Sequence, residues 1–196
     1  MKPFAESCEQ NKHAILGVLQ EYLPARRRLL EIGSGTGQHA VFFAARFPHL
    51  HWQTSDRVEN HAGIRAWLEE AALPNLAPPL ALDVTDSPWP PLSVDAVFSA
   101  NTAHIMPWEA VAAMFAGVGR VLEDGGVFCL YGPFNYDGRY SAESNRRFDA
   151  WLRQQDPRQG VRDFEALDAL AREAGMALLR DHPMPADNRT LVWRKG

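Results

Sequence analysis

Apolar positions along the chain switch between two periods, and the switches mark the elements. In "SCEQNKHAILGVLQEYL" (Ser7–Leu23), Ile15, Leu16, Leu19 and Tyr22 recur at helical spacing. Ser7 and Gln10 there form a capping-box pair, and Pro24 predicts the stop. "RLLEIG" is a short, fully apolar strand, and "GQHAVFFAARF" returns to the helical period. The same alternation continues through strand "LHWQTSD", helix "VENHAGIRAWLEEAAL", strand "PPLALDV" with a proline entry, and buried strand "VDAVFSAN". A helix then opens at Pro107 in "PWEAVAAMFAGVGRVL", where proline suits the first turn. "EDGG" reads as a turn before the strand "VFCLYGPF".

Beyond Phe134 the pattern loosens into aromatic, Asn and Arg residues around one helix, Ala142 to Gln155. Asp163 is placed to cap "FEALDALAREA", and Gly175 to end it in a left-handed conformation. The strands "MALLRDHPM" and "RTLVWRKG" flank the turn "PADN" and predict an antiparallel pair. Repeated strand–helix–strand units with an antiparallel tail define an α/β chain, a mostly parallel sheet covered on both faces. One domain over residues 1–196 is expected.

Composition changes this picture little. The formal net charge is −4, with 46% apolar and 22% charged residues, so neither a nucleic-acid partner nor a membrane is expected. Arg26–Arg28 form the one dense basic run, read as a solvated strand approach. Cys8 and Cys129 suggest neither a disulfide nor a thiolate metal site, and the N-terminal residues lack a signal-peptide core, so a cytoplasmic protein is expected. Scattered histidines such as His49 and His51 lack a third ligand, and no metal is expected. Oligomeric state is not encoded in any of these features.

The candidate chemistry begins at Gly33, Gly35 and Gly37, between a strand and a helix. Glycines at the carboxyl end of a parallel strand let a ligand lie on bare backbone N–H groups. A tight turn alone would need one glycine, not three. The dinucleotide fingerprint would place its third glycine at position 38, which is Gln38. Asp56, next to Arg57, ends the second strand, where a carboxylate accepts ribose hydroxyls in either nucleotide class.

"E-x-G-x-G-x-G", from Glu31 to Gly37, resembles motif I of class I S-adenosylmethionine-dependent methyltransferases. The resemblance implies a Rossmann-like fold with seven strands in the order 3-2-1-4-5-7-6 and S-adenosyl-L-methionine as cofactor. It implies that Glu31 orders the loop and meets the methionine ammonium, while Gly33, Ser34, Gly35 and Gly37 pass beneath methionine and ribose. Asp83 would accept from the adenine amine and Val84 would donate its N–H to the ring; capping is the alternative for Asp83. Asn101 would meet the sulfonium end, and Asn11 and Lys12 of the N-terminal helix (residues 1–24) the methionine carboxylate. More closely, "ESCEQNKHAIL", "NTAHIMPW", "YGPFNYDGRYSAESNRRFDAWL", "GVRDFEAL" and "PADNRTLVWRK" resemble the methyltransferase-like family that contains methyltransferase-like 26, with Asp187 where that family usually has Asn.

Methyl transfer needs an aligned acceptor, a dry site and, for a protonated acceptor, a base. His104, just past the fourth strand, is the candidate base; a structural histidine bonded to loop backbone is the alternative. Residues 133–163 read as a substrate lid, with Tyr131, Asn135, Tyr136, Arg139 and Asn145 as candidate substrate contacts and Arg146 and Asp149 as further lining. These residues and His104 are expected to converge on one pocket. No Asn/Asp-Pro-Pro-aromatic signature, paired glutamates or acidic metal cluster follows the fourth strand, which leaves a small organic acceptor. The rival readings are a nicotinamide-dependent oxidoreductase and an adenosylmethionine-binding protein without catalysis.

Overall fold

The computed structural model describes residues 2–196. Its elements are α1 (Glu6–Tyr22), β1 (Arg28–Ile32), α2 (Gln38–Ala44), β2 (His51–Asp56), a 3-10 turn (Val58–Asn60), α3 (His61–Ala71), β3 (Leu76–Ala81) and β4 (Val94–Ala100). There follow α4 (Trp108–Val121), β5 (Leu122–Gly132), β6 (Phe134–Asn135), α5 (Glu143–Gln155), β7 (Arg162–Asp163), α6 (Phe164–Glu173), β8 (Met176–Pro183) and β9 (Arg189–Lys195). Seven strands form one sheet in the order β3-β2-β1-β4-β5-β9-β8. This is the expected order once the two short strands β6 and β7, which pair with each other, are numbered in chain order. All pairs are parallel except β5–β9 and β8–β9.

The central strands are apolar at successive positions because both faces are buried. Leu30, Val97, Phe128 and Trp193 face α4 and α6, meeting Val111, Phe115 and Leu167. Their neighbours Leu29, Phe98, Cys129 and Val192 face α1 and α2, meeting Ile15, Leu19 and Phe43. Each fully buried Leu or Phe contributes on the order of 2–3 kcal/mol.

Three local expectations are corrected. The Ser7–Gln10 capping box does not form: α1 starts at Glu6 after Ala5, without a side-chain cap bond. The Ala5 N–H donates instead to Gln38 Oε1 at 2.6 Å, so a tertiary bond does the capping work. β3 does not begin at its prolines but runs through Pro78 and Pro79, because it is an edge strand where a missing N–H costs no ladder bond. The "EDGG" segment lies within β5, as an irregularity between the pairs Val94↔Leu122 and Ala96↔Val127. Asp163 precedes α6 as expected, although its side chain makes no cap bond.

Candidate active site

The sheet order reverses between β1 and β4, and a cavity of about 1190 Å³ opens beyond their carboxyl ends. The three loop glycines all have positive φ, at +71°, +58° and +90°. Gly33 is also pressed by its surroundings, since a Cβ there would lie 2.6 Å from Thr102 Cγ2. Gly37 faces away from the cavity and packs on Ile64 and Trp67 of α3, so its role is to seat α2 against α3. The other two glycines and Ser34 line the cavity.

Glu31 lies beneath the loop, 2% exposed. Its Oε2 accepts the Ser34 hydroxyl at 2.8 Å and the Trp52 indole N–H at 3.1 Å. Burial raises its pKa to about 7 against those two bonds, and the Asp56 charge pushes the same way. Asp56 accepts from Gly35 N (2.8 Å) on one oxygen, and from Arg57 N (2.8 Å) and Asn60 Nδ2 (2.8 Å) on the other. The Gly35 bond couples the loop to the end of β2. Asp83 and Val84 line the cavity two and three residues past β3. Asp83 Oδ1 accepts both the Thr85 N–H (3.0 Å) and hydroxyl (2.7 Å), which closes a local turn; no helix starts there, so the helix-capping alternative is not met. Among the described residues, its Oδ2 and the Val84 N–H make no hydrogen bond. Arg57 and Asn101 are also in the wall, Asn101 with φ +59°.

The remaining candidates lie elsewhere. Lys12 is paired with Glu9, and Asn11 Oδ1 sits 2.7 Å from His39 Nε2; neither lines the cavity. The lid candidates do not converge on it either. His104 is buried against Phe148, outside the wall, and burial lowers its pKa to about 4, with Arg162 adding to the shift. Tyr131 is buried on the α1 face. Tyr136 donates to Asp181 at 2.6 Å, and Arg139 is exposed on the turn after it. Asn145 ties α5 to the Ser141 hydroxyl (2.8 Å) and to the Asp187 carbonyl (3.1 Å). Asn135 is buried with its Oδ1 unpartnered. Asp149 accepts from Val161 N at 2.7 Å, and the polar residues of this segment largely bond one another. From residues 133–163, Arg158 reaches the cavity.

The wall also contains residues that pattern reading did not select: Ser7, Cys8, His39, Asn60 and Thr102. His39 had a signal, standing two residues after Gly37 at the start of α2. Lys2, Pro3 and Ala5 line the mouth, held by Pro3 O accepting Trp67 Nε1 at 2.7 Å and by Lys2 over the Trp67 ring. Among the described residues no group of three His, Cys, Asp or Glu is placed to hold a metal, and no helix is long and apolar enough to cross a membrane.

A glycine loop ordered by a buried glutamate, with carboxylates at the ends of β2 and β3, on this sheet order defines the class I methyltransferase fold. The chain belongs to the family described as "Protein of unknown function (DUF938)", whose model matches residues 2–195. It is similar to an O-methyltransferase family protein from Burkholderia thailandensis, with 14% identity and a TM-score of 0.83 over 94% of this chain and 56% of that one. It is likewise similar to an O-methyltransferase family 2 protein from Planctomyces limnophilus solved with apigenin (16%, TM-score 0.83, 97% and 60%) and to human N-acetylserotonin methyltransferase solved with SAM (16%, TM-score 0.80, 97% and 53%). In sequence it is 29% identical to O-methyltransferase pgmB of Aspergillus terreus over 117 residues, 58% of this chain and 26% of that protein. The chain thus spans a little over half the length of these solved relatives and about a quarter of the curated one.

Proposed function

We propose that this protein transfers a methyl group from S-adenosylmethionine to oxygen or nitrogen of a small organic acceptor, and that its kinship extends to the family containing methyltransferase-like 26. The observation that carries this reading is the set of unengaged polar atoms along one wall. Asp56 keeps acceptor capacity on Oδ2 for a ribose hydroxyl. Asp83 Oδ2 and the Val84 N–H stand unpaired as acceptor and donor for an adenine edge. Glu31, held under the loop with its pKa raised to about 7, would be drawn to its charged form by a methionine ammonium placed above it. The donor set fits the cofactor, with one adjustment: Asp56 already accepts three bonds, so a second ribose hydroxyl requires Asn60 to swing aside.

S-adenosylmethionine, when bound, supplies a methyl group activated by a positive sulfur. The protein's own contribution is binding, alignment and exclusion of water. The strap of Lys2, Pro3 and Ala5 closes the mouth, and the start of α1 brings Ser7 and Cys8 over the wall. Asn101 at the end of β4 faces the same space as the glycine loop. The net charge of −4 favours a small-molecule acceptor over nucleic acid and suits a cytoplasmic enzyme.

Calorimetric titration is expected to show adenosylhomocysteine binding, with NAD and NADP silent; binding of a dinucleotide alone would install the oxidoreductase reading. Methyl-labelled cofactor with a deproteinised small-molecule extract should then yield a labelled product. Tight adenosylhomocysteine binding with no labelled product across such extracts would leave a binding protein.

A further inference from the structure

The candidate base of the sequence reading, His104, is outside the cavity, and the lid aromatics are engaged elsewhere. Among the described residues, His39 is the one histidine in the cavity wall. It rises from the first turn of α2, between the glycine loop and the start of α1, and its ring stacks on Phe43 and meets the edge of Phe98. The ring is therefore fixed in position by packing.

Its tautomer is fixed as well. Nε2 lies 2.7 Å from Asn11 Oδ1, which has no proton to give, so Nε2 carries the hydrogen and donates it. The lone pair consequently resides on Nδ1, for which no hydrogen-bond partner exists among the described residues. Asn11 is 8% exposed and His39 6%, so neither arrangement is a surface accident.

We infer that His39 Nδ1 is the proton acceptor for a hydroxyl group of the methyl acceptor, with Asn11 as the residue that positions it. The inference rests on the methyl-transfer reading and narrows it to oxygen. As the acceptor oxygen forms its bond to the methyl carbon, the bond from methyl to sulfur breaks and its electron pair stays on sulfur. The hydroxyl proton passes to Nδ1, so the positive charge lost at sulfur reappears on the imidazole, and it is then released to solvent. Burial holds the His39 pKa near 4, countered by Glu9 and reinforced by Lys12. A base that weak does not ionise a hydroxyl in advance. It suffices once the oxygen has begun to bond carbon, because a protonated ether is a far stronger acid than an imidazolium. An ammonium acceptor would retain its proton against this base, and a carboxylate has none to offer Nδ1.

Two variants separate the roles. Gln at position 39 places an amide near the Nε2 position, so His39→Gln keeps a donor toward Asn11 and deletes Nδ1. Nitrogen-15 histidine NMR on the full chain, with the His39 signal assigned from this variant, should show the Nε2–H tautomer from pH 8 down to about 5. Asn11→Leu should mix the tautomers. His39→Gln should bind adenosylhomocysteine within about twofold of wild type and lose roughly 10²-fold or more in transfer to a deproteinised extract. An Nδ1–H tautomer, or transfer by His39→Gln within about threefold of wild type, overturns the role of His39. A wild-type protein that transfers nothing to such extracts overturns the methyl-transfer reading instead, whatever tautomer is seen. Should His39→Gln fold poorly, His39→Asn and His39→Ala, neither of which offers a base, must both lose transfer by a similar large factor; transfer within about threefold of wild type in either folded variant also overturns it.

Discussion

At the scale of single residues, the site divides into side chains committed to the protein and side chains left open. Asp56 belongs to both groups, which sets the outcome of removing it. Asp56→Ala should weaken adenosylhomocysteine binding by roughly 1.5–3 kcal/mol through lost charge-assisted bonds. It should also loosen the glycine loop, because Gly35 N and Arg57 N lose their acceptor. Calorimetry on a folded variant checks this, and unchanged affinity would remove Asp56 from the ribose site. The place of Asp56, Asp83 and Asn101 on the cavity rim was legible in the sequence because each lies at or just past a strand end, and strand ends in a parallel sheet share one rim. Asn11 and Lys12 were not, because a helix's rotation about its axis is set by tertiary packing. Here Ile15, Val18 and Leu19 turn toward the core, and Asn11, one turn before Ile15, is carried inward to His39.

Among elements, strands and helices were readable and the segment after β5 was not. The unbroken apolar runs of β4 and the second half of β5 come from burial on both faces, and the period of 3.6 in α4 from burial that sweeps regularly along one side. Residues 133–163 follow neither rule, since their order comes from polar anchors. Asp149 is the strongest of these, accepting from Val161 N (2.7 Å), the Tyr140 hydroxyl (2.8 Å) and Arg153 Nε (2.8 Å). Burial pushes its pKa up, yet these three bonds outweigh burial and hold it below the usual aspartate value. Asp149→Ala leaves the buried Val161 N–H without a partner, whereas Arg153 is about half exposed and can find water. The expected cost is on the order of 1–3 kcal/mol, concentrated in this segment. Hydrogen exchange should speed up between positions 140 and 161 while β1 and β4 stay protected. Uniform loss of protection would show that Asp149 supports the whole sheet. The same anchoring accounts for Asp187: with φ +56°, its backbone suits Asn or Asp alike, and its Oδ2 accepts the Ser144 hydroxyl at 2.8 Å.

For the whole molecule, burial of titratable groups at the sheet's rim sets how stability responds to pH. His39 and His104 have folded pKa values near 4 against an unfolded value of 6.5, both lowered chiefly by burial. His182 is lowered in the same direction. Between these limits the unfolded chain binds protons that the native chain refuses, so stability falls as pH drops from about 6.5 toward 4. Glu31 opposes them. Its folded pKa of about 7, against 4.5 unfolded, means the native chain retains a proton that the unfolded chain releases. Its contribution is complete below pH 4.5 and lost as pH rises through 7. Two deeply buried histidines against one glutamate leave a net uptake of about one proton on unfolding from pH 4.5 to 6.5, a slope near 1.4 kcal/mol per pH unit. Urea midpoints should therefore rise from pH 5 to 6.5 and then level or decline slightly toward pH 8. Glu31→Gln removes the opposing group, so its slope below pH 6.5 should steepen toward twice the wild-type value and its decline above should vanish. His104→Gln should flatten the rise instead. If wild-type stability were level across pH 5 to 6.5, or Glu31→Gln left the slope unchanged, the buried groups would not govern the acid response.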